Sequence, residues 1–154
     1  MNLLEINKRI RQRPPFQMIE RVTELEPGKS ATGIKCVSVN EPYFVGHMPD
    51  YPLMPGVLMI ETCAQLCSLV IEPDGLDDSK IYVLLKVKDF KFVKAVIPGD
   101  RLEIKANLIK GNPNTGLYEF DVQIYVEGQV RAKGDLMFTA VEKESIYEDT
   151  SDQR

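Results

Sequence analysis

The only histidine of the chain, His47, heads a proline-dense stretch, GHMPDYPLMPGVLMIETCAQ, over residues 46–65. Pro49, Pro52 and Pro55 stiffen the loop behind it, and Gly56 follows. Residues 57–71 are then apolar except at Glu61, Thr62, Gln65 and Ser68, which reads as a helix buried on most sides. A carboxylate inside such a helix is costly unless it is hydrogen-bonded, protonated or used. The stretch therefore offers a base on a stiff loop, a free helix N-terminus, and an acid one turn inside. A neutral imidazole works as a base near operating pH. A carboxyl kept protonated by apolar surroundings works as an acid. Unbonded N–H groups at a helix start receive negative charge. Together these parts fit an elimination. The base takes a proton beside a carbonyl, the acid meets a departing hydroxyl, and the N–H donors hold the carbonyl as enolate charge builds.

Each residue also has a plainer role. His47 can be a loop histidine held by a backbone carbonyl. Glu61 can face an interface or solvent, although Val57, Leu58, Ile60 and Leu66 around it argue for burial. Gln65, four residues on, shares its helix face and can orient the carboxyl or a water, or simply bond a neighbouring loop. Gly56 can be an N-cap, and it and Val57 are the candidate oxyanion donors.

The flanking sequence must position these groups. Residues 3–11 read as a short helix stopped by Pro14-Pro15. Residues 18–25 and 30–39 read as strands around a Pro27-Gly28 turn, and residues 40–44 as a turn leading to His47. The central helix spans 57–71 and ends at Pro73, Asp74 and Gly75. Ile81, Val83, Leu85 and Val87 alternate, but Phe90 and Phe92 take the opposite parity. A strand facing one core needs an extra residue to change parity, so a bulge is expected near Lys88-Asp89, unless both faces are covered there. Residues 102–108, 120–126 and 130–140 alternate as further strands, separated by turns at 112–116 and 127–128. The pattern is α+β, an antiparallel sheet with one buried helix.

At 154 residues and 44% apolar, the chain has the size and apolar content of one domain with a full core, expected over residues 1–141. Residues 142–154 carry five acids and two bases and almost no apolar side chains, so a disordered acidic tail is expected. The net charge of −4 argues against nucleic acid as a main partner. No apolar run approaches the ~20 residues of a membrane span, and the N-terminus has no signal-peptide pattern, so a cytoplasmic location is expected. Cys36, Cys63 and Cys67 show no disulfide framework, and one histidine without a Cys-x-x-Cys motif argues against zinc. Cys63 and Cys67, four apart on the buried helix, read as small core residues.

The stretch 46–65 resembles the signature of the 3-hydroxyacyl-[acyl-carrier-protein] dehydratases of fatty acid synthesis, the FabZ type. Those enzymes read G-H-F-P-G-x-P-[IL]-[FM]-P-G-V, followed by a helix carrying E-A-x-A-Q. VSVNEPYFVGH, PPFQMIERV and IPGD match as well, so the resemblance covers about residues 8–140. It implies a hotdog fold, in which the antiparallel sheet wraps one long central helix. It implies dehydration of (3R)-3-hydroxyacyl-[acyl-carrier-protein] to the trans-2-enoyl product, with no cofactor. His47 is then the base for the C2 proton, Glu61 the acid for the hydroxyl, and the Gly56 N–H a donor to the thioester carbonyl. It also implies a homodimer or trimer of dimers, with His47 of one subunit facing Glu61 of the other. The partner is an acyl carrier protein bearing a phosphopantetheine-linked chain. For it Lys88, Lys91 and Lys94, with Lys86 and Arg101 nearby, are the candidate basic rim.

Several positions depart from the family pattern. Asp50-Tyr51 replaces Gly and a polar or basic residue, Met48 replaces Phe, and Gln12 and Pro14 replace His and an aromatic. Lys91 and Val93 stand where Arg and Lys are common. Two competing readings follow: a hotdog thioesterase or coenzyme A-ester dehydratase, and a non-catalytic acyl-binding subunit.

Overall fold

The computed structural model describes residues 1–71 and 78–150. Helix α1 is Leu3–Asn7, followed by strands β1 (Arg21–Glu26) and β2 (Ser30–Cys36) and a 3-10 helix at Pro42–Val45. Helix α2 is Gly56–Ile71. Strands β3 (Lys80–Phe92), β4 (Arg101–Asn112), β5 (Leu117–Val126) and β6 (Gln129–Glu142) complete one six-stranded sheet of order β1-β2-β4-β5-β6-β3. The paired neighbours are all antiparallel. Among the described residues, no helix is long and apolar enough to cross a membrane.

Alternation along the strands builds the core. Leu102, Ile104 and Ala106 of β4 and Phe120, Val122 and Ile124 of β5 are fully buried, while their outward neighbours are charged or polar. Helix α2 lies over β2, β4 and β5. Its buried side carries Met59, Cys63, Leu66, Cys67 and Val70. Helix α2 starts one residue earlier than expected, at Gly56. The stop expected at Pro73, Asp74 and Gly75 lies outside the described residues.

Three expected elements are shorter in the structure, each where a side chain takes up backbone groups. Strand β1, expected over residues 18–25, starts only at Arg21, and the Met18 N–H donates to Gln65 Oε1 instead. Asn2 and Glu5 form a capping box that starts α1. The Arg13 guanidinium then donates to the carbonyls of Asn7, Ile10 and Gln12, so the chain leaves the helix after Asn7. Strand β2 ends at Cys36, whose N–H donates to the Glu20 carboxylate. Beyond it Val37 exchanges backbone bonds with Gly99 and Asp100. Of the tail expected to be disordered, Lys143–Thr150 forms a 3-10 helix, and residues 151–154 lie outside the described residues.

The parity change in β3 has a local cause. The β3–β6 register shifts between Lys88 and Lys91, where Asp89 adopts φ of 50°. This is the expected bulge, and a second shift falls between Leu84 and Lys86. Phe90 lies directly over Gly134 of β6, where an added Cβ would sit 2.7 Å from Phe90 Cα and 2.5 Å from its ring. After the bulge Phe92 pairs with buried Ala132. A Gly134→Ala substitution is expected to destabilise the fold by about 1–3 kcal/mol, because the clash is with backbone. Denaturant unfolding at equilibrium checks this; an unchanged midpoint would mean that the bulge tolerates a side chain.

Candidate active site

The loop around His47 is closed by its own backbone. The 3-10 helix ends with Gly46 and His47 both donating their N–H to the Tyr43 carbonyl. Met48 and Tyr51 bond each other reciprocally through backbone, and the His47–Met48 peptide is cis. Leu53 then grips His47 twice. Its N–H donates to the His47 carbonyl at 3.2 Å, and its carbonyl lies 3.0 Å from His47 Nδ1. A carbonyl can only accept, so Nδ1 carries the proton and Nε2 is left as the basic nitrogen. The plain role, a histidine held by a backbone carbonyl, and the role of a base are thus compatible. Met48, Asp50 and Tyr51 are exposed, so these departures lie on the solvent side of the turn.

The loop delivers the chain to the first turn of α2. Met54 N–H donates to the Val96 carbonyl, and the Pro55 carbonyl accepts from Leu58 and Met59. The N–H groups of Gly56 and Val57 make no hydrogen bond among the described residues. Phe92 covers Gly56 so closely that an added Cβ would lie 2.9 Å from its ring. Glycine leaves room for that half-exposed ring and adds no side chain of its own beside the N–H.

Glu61 is half-buried one turn further on. Burial raises its carboxyl pKa above the ordinary range, and the hydrogen bond from Gln65 works in the opposite direction. Gln65 is buried and makes three hydrogen bonds. Its Oε1 accepts from Met18 N–H, and its Nε2 donates to the Phe16 carbonyl and to Glu61 Oε1 at 3.0 Å. It therefore orients the carboxyl and bonds a neighbouring segment at once. When Glu61 is neutral, this donation to Oε1 leaves the proton on Oε2.

Within one chain no hydrogen bond or ion pair joins His47 to Glu61; His47 is engaged with Tyr43 and Leu53, and Glu61 with Gln65. Glu61 lies on a stripe of α2, with Val57, Ile60 and Ser68, that the sheet leaves partly open; Val57 is 71% exposed. Beside it, Leu84, Val87 and Phe92 of edge strand β3 are 40–50% exposed, although their β6 partners Phe138, Leu136 and Ala132 are core residues.

The candidate lysines separate into two groups. Lys88 lies opposite Asp135, and with Lys86 it lines a small depression shared with Glu119 and Asp135. Those acids oppose its field. Lys91 lies opposite Lys133, and the N–H groups of Val93 and Lys94 both point to the Arg131 carbonyl. Lys91 and Lys133, with Lys94 just beyond, thus form one basic area at the end of β3, on the sheet face opposite Phe92 and Ala132, while the Arg131 guanidinium donates to the Ala95 carbonyl. Sequence reading missed Arg131 and Lys133. Their outward parity in VRAKG was visible, but the pairing of β6 with the distant β3 was not. The Leu53 carbonyl, being backbone, left no residue-type signal. The other basic candidate, Arg101, starts β4 opposite Cys36, away from the end of β3.

Six antiparallel strands and one long helix, with a proline loop running from a histidine into that helix, define a hotdog-fold protein. The chain belongs to the FabA-like domain family, whose model matches residues 10–134. It is 41% identical to the 3-hydroxyacyl-[acyl-carrier-protein] dehydratase FabZ of Clostridioides difficile strain 630, over 93% of this chain and 99% of that protein. It is 43% identical to the FabZ of Natranaerobius thermophilus, over 90% of this chain and 96% of that protein. Among solved structures, the dehydratase heterocomplex ApeI:P from Xenorhabdus doucetiae superposes with a TM-score of 0.76 at 19% identity, covering 95% of this chain and 97% of that one. A hypothetical thioesterase with coenzyme A from Streptococcus pneumoniae gives 0.59 at 19% identity, covering 79% and 85%. These two share the fold.

The raised Glu61 pKa fixes the sign of a pH effect. The folded state holds this proton more tightly than the unfolded state, so Glu61 lowers stability as pH rises from the ordinary glutamate value through its raised one. Glu61→Gln should lose that part of the pH dependence and be relatively more stable at neutral pH than at acid pH. Urea unfolding of both proteins from about pH 4 to about pH 8 checks it. Parallel stability profiles would contradict the burial of the charge.

Proposed function

We propose that the chain dehydrates (3R)-3-hydroxyacyl-[acyl-carrier-protein] to the trans-2-enoyl thioester, as a hydro-lyase of fatty acid or related lipid biosynthesis. The observation that carries this reading is the His47 tautomer: Nδ1–H donates to the Leu53 carbonyl, leaving Nε2 as a base. In this proposal Nε2 takes the C2 proton, and the electron pair moves toward the thioester carbonyl. That oxygen is held by the unbonded N–H groups of Gly56 and Val57. The C3–O bond then breaks as Glu61 gives its proton to the hydroxyl, and water leaves. Gln65 orients the Glu61 carboxyl for that transfer. His47→Ala and Glu61→Gln should each lower dehydration by ~10²–10⁴-fold with the fold intact. A spectroscopic assay of enoyl formation checks this on carrier-linked and coenzyme A-linked substrates. Near-wild-type turnover of either variant would refute the pair, and hydrolysis without dehydration would favour the thioesterase reading.

We also propose that the site is shared between two subunits. The open stripe of α2, the bare inner face of β3 and the free β3 edge are what a second copy would cover. His47 of one subunit would then face Glu61 of the other. Mixing inactive His47→Ala and Glu61→Gln subunits, with exchange confirmed by mass, should restore about a quarter of wild-type activity, from one intact site per mixed dimer. No recovery would exclude the shared site. Residues 1–141 are proposed as one hotdog domain, with a cytoplasmic setting that suits its free cysteines.

An acyl carrier protein with a phosphopantetheine-linked chain is the proposed partner, docking on the basic area of Lys91, Lys94 and Lys133, with Lys88 secondary. Charge reversal at Lys91, Lys94 and Lys133 should raise KM for the carrier-linked substrate several-fold more than reversal at Lys88. It should leave a short soluble thioester nearly unaffected. Added salt should mimic the change.

A further inference from the structure

Lys35 is the largest of the fully buried side chains, 2% exposed, near the end of β2. Its Nζ lies 2.9 Å from Glu41 Oε1, in an ion pair whose side chains are 2% and 18% exposed. The two ends of this pair belong to different parts of the molecule. Lys35 is fixed within the sheet, where it lies opposite Leu102 of β4. Glu41 is outside the sheet, at the head of the 3-10 helix that leads to His47.

From Glu41 onward the chain is held by a relay of short backbone bonds. Glu41 N–H donates to the Ser38 carbonyl, the Glu41 carbonyl accepts from Phe44, and the Tyr43 carbonyl accepts from Gly46 and His47. Every one of these bonds is internal to the segment. They fix its shape but not its place on the sheet. Three contacts do that: the buried ring of Phe44, the Tyr43 ring packed beside it against the core, and the Lys35–Glu41 pair. Ring packing is non-directional, whereas a buried charge pair tolerates little change in distance because both charges lose their partner together.

We propose that the Lys35–Glu41 ion pair positions the histidine segment, setting where the His47 imidazole stands relative to the first turn of α2. Lys35 and Glu41 are positioning residues in this proposal; neither touches the reacting atoms. The inference rests on the reading of His47 as the base, and its test includes a readout that does not.

Removing one partner alone would leave a buried charge and unfold the region for trivial reasons. The informative variant removes both charges, Lys35→Met with Glu41→Gln, since replacing a buried pair by uncharged groups of similar volume is often neutral for stability. Its unfolding midpoint and subunit mass should match the wild type. Its kcat for dehydration should fall by ~10–100-fold, the scale expected for a catalytic group displaced by an ångström or less, while KM changes little. Because His47 is the only histidine, ¹³Cε1-labelled histidine gives a signal from one site, and that signal should shift or broaden in the variant. Glu41→Asp keeps both charges but shortens the tie by one methylene. It should lower kcat in the same way, and it serves as the deciding variant if the double variant does not fold. A folded variant with wild-type kcat and an unmoved histidine signal would overturn the proposal, as would a rise in KM with kcat unchanged. If the wild-type chain itself lacks dehydratase activity, the function reading fails, and the histidine signal alone then decides the positioning claim.

Discussion

The first turn of α2 is the constraint on which the rest of the structure depends. A helix must begin somewhere, and its first N–H groups have no partner inside it. Here Leu58 and Met59 are satisfied by the Pro55 carbonyl, while Gly56 and Val57 are left unbonded. The surroundings preserve that condition. Gly56 contributes no side chain, the Phe92 ring packs where one would stand, and Met54 is tied to Val96 so that the loop enters the helix from one direction. The sheet provides the platform and the proline loop brings the histidine. The apolar helix keeps the carboxyl one turn away in surroundings that disfavour its charge.

Side-chain hydrogen bonds then fix the state of each group. Leu53 selects the imidazole tautomer without using another side chain. Gln65 has both amide hydrogens and its oxygen engaged: its oxygen must accept from Met18, so its amide cannot flip, and its nitrogen must point to Glu61 and Phe16. The N-terminal segment, which carries no proposed catalytic group, is thereby part of what holds the carboxyl in place.

Much of this was legible in residue types and periodicity. The apolar run 57–71 gave α2 almost to the residue, and the parity change before Phe90 gave the β3 bulge. The motif around His47 named Glu61 and Gln65, which the structure joins by a hydrogen bond, and His47, which within one chain is bonded to Tyr43 and Leu53 instead. What was not legible depends on distant pairing or on backbone atoms. The neighbour of β3 is β6, which periodicity cannot reveal, so Arg131 and Lys133 went unnoticed beside Lys91 and Lys94. The Leu53 carbonyl has no signature at all. Residue type does not mark Lys35 as buried, and its pairing with Glu41 is visible only in three dimensions. The early end of α1 came from Arg13 reaching back to the carbonyls of Asn7 and Ile10, a bond that propensity does not encode.

The contact between Phe90 and Gly134 has an evolutionary consequence. The two positions lie far apart in the chain, yet a side chain at 134 would press on the backbone of the bulge at Phe90. Neither drifts without cost to the other. A lineage that acquired a side chain at 134 would be under pressure to lose the bulge. Losing it would reverse the facing of Phe92, and with it the cover over Gly56. Descent should therefore treat a glycine in β6, a bulge in β3 and a bare helix start as one inherited unit. Substitutions on the outer sheet face away from Lys91, Lys94 and Lys133 remain free to accumulate.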